Sequence, residues 1–127
     1  MKKEVLLLLF AALTLVLFAA FVTLPETTEA IPEDVEKILV SSCNDCHSNE
    51  ASSKKAKLVL NFDSWDKYKD SKKISKLEKI CEEVEEGKMP PEKYLKSKPE
   101  KVLDEQQKAA ICKWTAEETE KLLGSGE

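Results

Sequence analysis

The stretch Cys43-Asn44-Asp45-Cys46-His47 is a C-x-x-C-H motif, and it is the most informative feature of the sequence. Two residues between the cysteines place both thiols on one short turn, at a spacing that suits addition to the two vinyl groups of a haem. The histidine that follows can bind the haem iron through its imidazole. The motif therefore predicts a covalently attached haem c, held by Cys43 and Cys46 and ligated by His47. A structural or redox-active thiol pair is the plainer alternative.

Few residues of the sequence could supply the second axial ligand of the iron. His47 is the only histidine in the sequence, so one chain cannot supply two imidazoles. Of the two methionines, Met1 lies in an apolar leader, which leaves Met89 in the run Gly-Lys-Met-Pro-Pro at 87–91. A glycine that ends a helix, followed by prolines that stiffen a loop, suits a side chain directed inward. We expect Met89 to be the distal ligand; a gap-filling buried methionine, lysine ligation and an open sixth position are the alternatives.

Residues 1–30 are expected to be a targeting segment outside the folded domain. Two lysines precede an apolar run that extends to Leu24 and is ended by a proline. The run is about 20 residues long, which at about 1.5 Å per residue is just enough to cross a bilayer. Thr-Glu-Ala at 28–30 offers a small-residue cleavage site. The segment is therefore a cleaved signal peptide or a membrane anchor through residues 4–24, and the lysines would stay inside.

Residues 31–127 would then form one domain in the periplasm or elsewhere outside the cytoplasmic membrane, where haem attachment is expected. A chain of this size buries little apolar surface of its own. The sequence is 35% charged and only 6% aromatic, so a porphyrin would supply apolar surface that the chain lacks. The net charge is −4 and the sequence has no basic stripe, so nucleic acid is not indicated as a partner.

Two groups of lysines, within 54–57 and 67–76, are candidates for a docking patch, and residues 82–86 are largely acidic. A solvated surface is the more ordinary explanation of each charge run. The partners expected for such a domain are redox proteins that bind weakly and transiently around an exposed haem edge.

The pattern along residues 31–127 predicts an all-α domain. A first helix is expected over about 32–42, with proline at its first position and acidic residues in its first turn, and it would deliver the chain to Cys43. The polar stretch 48–57 predicts a surface loop. The apolar residues 58–60 are too few to build a sheet and are expected to pack near the porphyrin.

Three more helices are expected downstream. A short one over about 63–68 would be capped by the aspartate or the serine at its start. A longer one over about 71–87 carries an apolar stripe and ends at its glycine. The last begins at Asp104, with Gln107 three residues on to complete a capping box. Trp114 on this helix is the candidate aromatic that packs against the first helix.

Cys81 and Cys112 each lie on the apolar side of a predicted helix. In an exported protein, two such cysteines most often pair. The bridge would close a loop of about 30 residues, for which the chain-entropy model gives roughly 3–4 kcal/mol. It would also hold the helix that leads into Met89 against the last helix. Two free buried thiols are the alternative, and a catalytic pair is disfavoured because no second histidine could act as a base.

These motifs together resemble a family of bacterial haem-binding domains related to monohaem c-type cytochromes. The matching stretches are CNDCHSNE (43–50), NFDSW (61–65), ICEEVEEGKMPP (80–91), PE (99–100), LDEQ (103–106) and AICKW (110–114). The combination of C-x-x-C-H with Gly-x-Met-Pro-Pro is the specific part. The resemblance implies a small class I cytochrome c-like fold with the ligands named above. It also implies pocket or propionate contacts for Phe62, Trp65 and Tyr94.

The leading functional hypothesis is one-electron transfer outside the cytoplasmic membrane, without enzyme activity. An iron whose two axial positions are filled can change oxidation state without binding a substrate. The alternative is a haem-based gas or redox sensor, in which a diatomic ligand displaces Met89. Peroxidase-like chemistry is a weaker hypothesis because there is no second histidine. A zinc site is also weaker, because Cys46 and His47 are adjacent and fit a tetrahedral site poorly.

Overall fold

The structure of the protein is a computed structural model, which describes Lys3 and residues 31–125. The predicted signal peptide or membrane anchor at 1–30 therefore lies, except for Lys3, outside the described residues. Within the described part, no helix is both long enough and apolar enough to cross a membrane. The described residues from Ile31 onward belong to one compact unit.

The regular elements of residues 31–125 are all helical, and the predicted all-α class is confirmed for this part of the chain. The α-helices are α1 Glu33–Ser42, α2 Asn44–His47, α3 Lys54–Val59, α4 Asp70–Glu85, α5 Glu92–Leu95 and α6 Glu105–Gly124. Two 3₁₀ helices, Phe62–Lys67 and Pro99–Lys101, lie between them.

The ends of the long helices follow local sequence signals. Pro32 lies just outside α1, and acidic residues fill the first turn, where the helix dipole favours negative charge. At the start of α6 the predicted capping box is confirmed. Asp104 accepts a hydrogen bond from the backbone N–H of Gln107 at 2.8 Å. The Gln107 side chain accepts one from the backbone N–H of Asp104 at 3.0 Å. Two otherwise unpaired backbone donors are satisfied in this way.

The core lies where α4 packs along α6 and α1 packs against α6. Its buried members come from all three helices and from the segments between them. They are Val35, Leu39, Trp65, Leu77, Ile80, Val84, Leu103, Ile111, Trp114 and Leu122. Trp114 packs in this cluster with residues of α1, as predicted, and its ring centroid lies 5.8 Å from that of Trp65. Two tryptophans, whose ring planes are tilted by 53° to each other, therefore contribute large buried side chains to a domain with few aromatics.

A disulfide joins Cys81 of α4 to Cys112 of α6, as predicted, with their Cα atoms 4.9 Å apart. The two cysteines are 31 residues apart in the sequence. The bridge therefore fixes the two longest helices to each other near the end of α4, which leads into the segment that carries Met89.

The stretch after the C-x-x-C-H motif differs from the prediction. Residues 48–57 are predicted to be a loop, but α3 begins within them at Lys54. Ser53 caps this helix by accepting a hydrogen bond from the backbone N–H of Ala56 at 3.3 Å. Leu58 and Val59 are expected to pack near the porphyrin, yet they are 82% and 62% exposed. Leu58 lines neither cavity of the site described below, whereas Val59 and Leu60 both line the larger one, which His47 also lines.

Two further boundaries differ by a few residues. The 3₁₀ helix Phe62–Lys67 is capped by Asn61, whose side chain accepts a hydrogen bond from the backbone N–H of Asp63 at 3.0 Å. The cap is therefore neither the aspartate nor the serine that the sequence suggests. α4 begins one residue before the predicted Ser71, after an N-cap at Lys69.

Candidate functional site

Two neighbouring cavities lie between the C-x-x-C-H turn and the segment that carries Met89. Their volumes are about 280 Å³ and about 160 Å³. Cys43, His47, Val84 and Met89 line both cavities, and Cys46 lines the smaller one. The structure thus brings the two predicted axial ligands and the two predicted attachment cysteines together around one space.

The wall of the larger cavity is built mainly from apolar side chains. They come from α1, α4, α6 and the chain after α3, and include Leu39, Leu60, Phe62, Ile80 and Ile111. Charged side chains, among them Lys76, Lys79 and Glu83, also line this cavity. A mainly apolar wall with a few polar groups suits a flat, largely apolar ligand.

The imidazole of His47 is oriented by a backbone carbonyl. Its Nδ1 lies 3.0 Å from the carbonyl oxygen of Leu60. Because a carbonyl oxygen only accepts, this hydrogen bond requires the proton on Nδ1, which leaves Nε2 of the neutral ring as the free electron-pair donor. The Phe62 ring packs edge-on against the imidazole, with centroids 6.3 Å apart. His47 is therefore held in the tautomer that a metal ligand needs.

A network of hydrogen bonds holds the Leu60 carbonyl in place. The backbone N–H of Asn61 donates to the Tyr68 hydroxyl at 3.0 Å. The Asn61 side chain donates to the Asn49 side chain at 2.9 Å, and the backbone N–H of Asn49 donates to Asp63 at 2.7 Å. The chain on both sides of α3 is thereby cross-linked around the histidine. The sequence gives no sign of the Leu60 carbonyl, since every residue carries one.

The two cysteines of the motif are free thiols. Burial, and to a smaller degree the neighbouring Cys46, raises the pKa of Cys43 to about 11. At neutral pH its thiol is therefore protonated. Since the thiolate is the redox nucleophile, this environment does not favour the redox-pair alternative.

Met89 is held by the backbone just after α4. Gly87 adopts φ +67°, which glycine tolerates without a steric penalty, and it ends the helix as predicted. The backbone N–H groups of Lys88 and Met89 both donate to the carbonyl of Glu83, at 2.9 and 3.0 Å. The peptide bond before Pro90 is cis, and Pro90 is buried. The Met89 side chain is 37% exposed and lines both cavities.

A polar contact ties the C-x-x-C-H turn to the segment after Met89. The Tyr94 hydroxyl and the Lys98 ammonium both donate to one carboxylate oxygen of Asp45, each at 2.6 Å. Lys98, with a further contribution from Tyr94, lowers the pKa of Asp45 to about 2. Burial and the Asp45 carboxylate raise the pKa of Tyr94 to about 12. We call Asp45, Tyr94 and Lys98 the tyrosine latch.

The three aromatic residues implied by the family resemblance have different places. Phe62 lines the larger cavity and Tyr94 the smaller one. Trp65 lines neither, is 3% exposed, and packs with its ring centroid 6.4 Å from that of Phe62. Trp65 therefore supports the Phe62 ring from the core side. The role of Asp45 in the latch is not visible in the sequence, because it occupies a variable position of the motif.

The fold and the site together define a small all-α domain in which His47 and Met89 line the same two cavities. The model of the haem-binding domain family matches residues 52–117, just over half of the 127 residues. The chain belongs to this family, and haem binding is the property that the membership supports. No curated protein and no solved structure gives a significant match to the chain.

The matched region covers one side of the site and not the other. It contains Phe62, Met89, Tyr94 and both bridged cysteines, and it begins after the C-x-x-C-H motif at 43–47. The family match therefore supports the cofactor, while the prediction of covalent attachment rests on the C-x-x-C-H motif outside the matched residues.

Proposed function

We propose that this domain carries one covalently attached haem c, with its iron ligated by His47 and Met89, and transfers single electrons outside the cytoplasmic membrane. We do not expect it to be an enzyme. The observation that carries the proposal is that His47 and Met89 line the same two cavities, beside the free thiols of Cys43 and Cys46. Bound haem would supply a one-electron couple at its iron.

The residues present fit such a group. Cys43 and Cys46 would hold it through thioether bonds. His47 offers Nε2, because the Leu60 carbonyl fixes the proton on Nδ1. Met89 offers a neutral sulfur donor, which raises the reduction potential relative to a second histidine. The apolar wall of the larger cavity would disfavour the more charged oxidation state of a bound haem and so raise its reduction potential further.

The proposed cellular location of the domain follows from the proposed covalent attachment of haem. We propose a periplasmic or other extracytoplasmic location, reached through residues 1–30 as a cleaved signal or as an anchor. The disulfide between Cys81 and Cys112 is compatible with an oxidising compartment. The proposed partners are redox proteins that bind transiently.

The test is the spectrum of the full chain, produced in a host with a haem-attachment system, in oxidised and reduced form. We expect haem absorption that stays with the polypeptide after denaturation and extraction with acidified organic solvent. The control is the double variant Cys43→Ser/Cys46→Ser, which should lose its haem in the same extraction. Colourless wild-type protein, or wild-type haem that the solvent removes, would contradict the proposal.

One observation favours a second function. Met89 is 37% exposed and lies in a loop, so its side chain could leave the iron without unpacking the core. The domain would then act as a sensor of diatomic ligands. Mixing reduced protein with carbon monoxide at neutral pH distinguishes the two functions. Prompt binding supports the sensor, and the absence of binding supports electron transfer.

A further inference from the structure

We propose that an acidic redox partner protein docks on a lysine-rich face at the larger cavity. This inference rests on the proposed electron transfer and adds the docking surface and the chemistry of the partner. We call this surface the lysine face. Its members are Lys54, Lys55, Leu58, Val59, Lys72 and Lys76.

Positive charge on α3 is uncompensated. Residues 51–62 contain three lysines and no acidic residue. Lys54 and Lys55 are exposed, and within the described part of the chain neither forms an ion pair with a carboxylate. Several lysines elsewhere are compensated; Lys113, for example, pairs with an acidic residue one helical turn away. The charge on α3 is therefore available to a partner.

Lysines of α4 extend this surface. The Lys76 ammonium donates to the backbone carbonyl of Val59, at the end of α3. Lys72 and Lys76 both lie over the Tyr68 ring, 5.0 and 4.8 Å from its centroid. Burial, together with the nearby charge of Lys72, lowers the pKa of Lys76. Lys72 and Lys76 thus hold two positive charges beside the C-terminal end of α3, although the chain as a whole carries a net charge of −4.

The lysine face also has an apolar centre beside the site. Leu58 and Val59 are large apolar side chains that are mostly exposed. Val59 and Lys76 line the larger cavity, which His47 also lines. A small apolar centre with a charged rim is the composition of a transient protein interface, and opposite charge on the partner steers association. An acidic surface placed here would lie against the cavity that His47 lines.

The first test measures the sign of the local charge. Reduced, haem-loaded full chain gives one electron to ferricyanide, which becomes ferrocyanide, and the rate is followed by stopped flow as salt is raised. A net charge of −4 alone would repel this anion, so the rate would rise with salt. The lysine face predicts attraction, so the rate should fall. A rate that rises with salt overturns the proposal.

Charge-reversal variants test whether the lysines of α3 cause the attraction of ferricyanide. The variant Lys54→Glu/Lys55→Glu should lower the low-salt rate by about tenfold, at the lower end of the range of electrostatic steering. Lys113→Glu/Lys121→Glu on α6 is the matched control, with the same change in net charge, and it should stay within about twofold. Equal effects of the two variants would show that only net charge matters and would overturn the proposal.

A binding measurement that does not depend on electron transfer completes the test. Poly-glutamate peptide is titrated into labelled full chain, and amide NMR shifts are recorded. Shifts concentrated at 54–59 and 68–76 support the lysine face, and shifts elsewhere or none overturn it. Binding to phosphatidylglycerol vesicles without binding to the peptide would assign the surface to a membrane and also overturn the proposal. If haem does not attach, the proposed function fails while this titration still tests the surface.

Discussion

The two sides of the site are built differently. On the histidine side, Nδ1 of His47 bonds to a backbone carbonyl, and hydrogen bonds among Asn49, Asn61, Asp63 and Tyr68 fix the chain around it. On the methionine side, the turn that ends α4 holds the backbone of Met89, and this residue is 37% exposed. The tyrosine latch then links the chain after Met89 back to the C-x-x-C-H turn.

If both residues ligate the iron as proposed, His47 is the ligand fixed by the fold and Met89 is the one that can adjust. A ring fixed in orientation and tautomer is prepared for binding before any cofactor arrives. A thioether on a flexible, unbranched side chain can follow small movements of the loop. We therefore expect changes on the histidine side to alter whether haem is held, and changes on the methionine side to alter how its iron behaves.

The largest effect is expected from His47→Ala. If His47 ligates the iron as proposed, the variant loses the donor that the Leu60 carbonyl orients. The yield of haem-loaded protein should then fall at least about tenfold, the size of effect expected when a ligand or its supporting group is lost. The measurement is haem absorbance per polypeptide after purification. Wild-type haem content in this variant would contradict the prediction, because haem would then be held without the oriented imidazole of His47.

Met89→Ala should change the properties of the haem iron without removing the haem. The attached haem should remain at close to wild-type content, because Cys43, Cys46 and His47 are untouched. Any sulfur-to-iron charge-transfer band in the near infrared should disappear, and carbon monoxide should bind the reduced form. Met89→Leu is the control for lost volume, since it fills the space without a sulfur donor and should behave in the same way. An unchanged band would refute ligation by Met89.

The disulfide offers a third test, since it supports the methionine side through α4 and α6. Cys81→Ala/Cys112→Ala should lower the free energy of unfolding by roughly 3–4 kcal/mol, as expected for a loop of about this length. Denaturant unfolding of the haem-loaded proteins measures this change. Intact wild-type protein should also show a mass two protons below that of the dithiol form, after the haem mass is subtracted. A missing mass deficit would refute the bridge.

The predictable parts of the structure are those that depend on local chemistry or rare residue types. Asp104 and Gln107 form their capping box within one turn, and Gly87 ends α4 because it can adopt a positive φ. Cys81 and Cys112 could be paired because few cysteines were available. The same scarcity singled out His47, since no other histidine competes for the role.

The parts that escaped prediction depend on tertiary placement. The Leu60 carbonyl has no side-chain signature, and Asp45 acquires its partners only when the segment near Tyr94 folds back onto the C-x-x-C-H turn. Helix α3 was missed because six residues are too short to show a helical stripe, and only its Ser53 cap marks it. Leu58 was expected to pack near the porphyrin for the same reason.

The smallest effect is expected from Tyr94→Phe, which alters the hydrogen bonds that join the C-x-x-C-H turn to the segment after Met89. The change removes one of the two hydrogen bonds to Asp45 and keeps the ring. Because this contact is partly exposed, its loss should cost about 1 kcal/mol or less. Haem content should not change, whereas imidazole added to the oxidised protein should displace Met89 up to about fivefold more readily.

The control for Tyr94→Phe lies in the same segment. Ser97→Ala removes a hydrogen bond from the Ser97 hydroxyl to the Tyr94 carbonyl and leaves the link to Asp45 intact. If the latch acts by tying the two ligand-bearing segments together, Ser97→Ala should leave imidazole binding close to wild type. Equal effects of both variants would assign the change to local loosening near α5. A loss of haem from Tyr94→Phe would place the latch on the histidine side and reverse the division of roles.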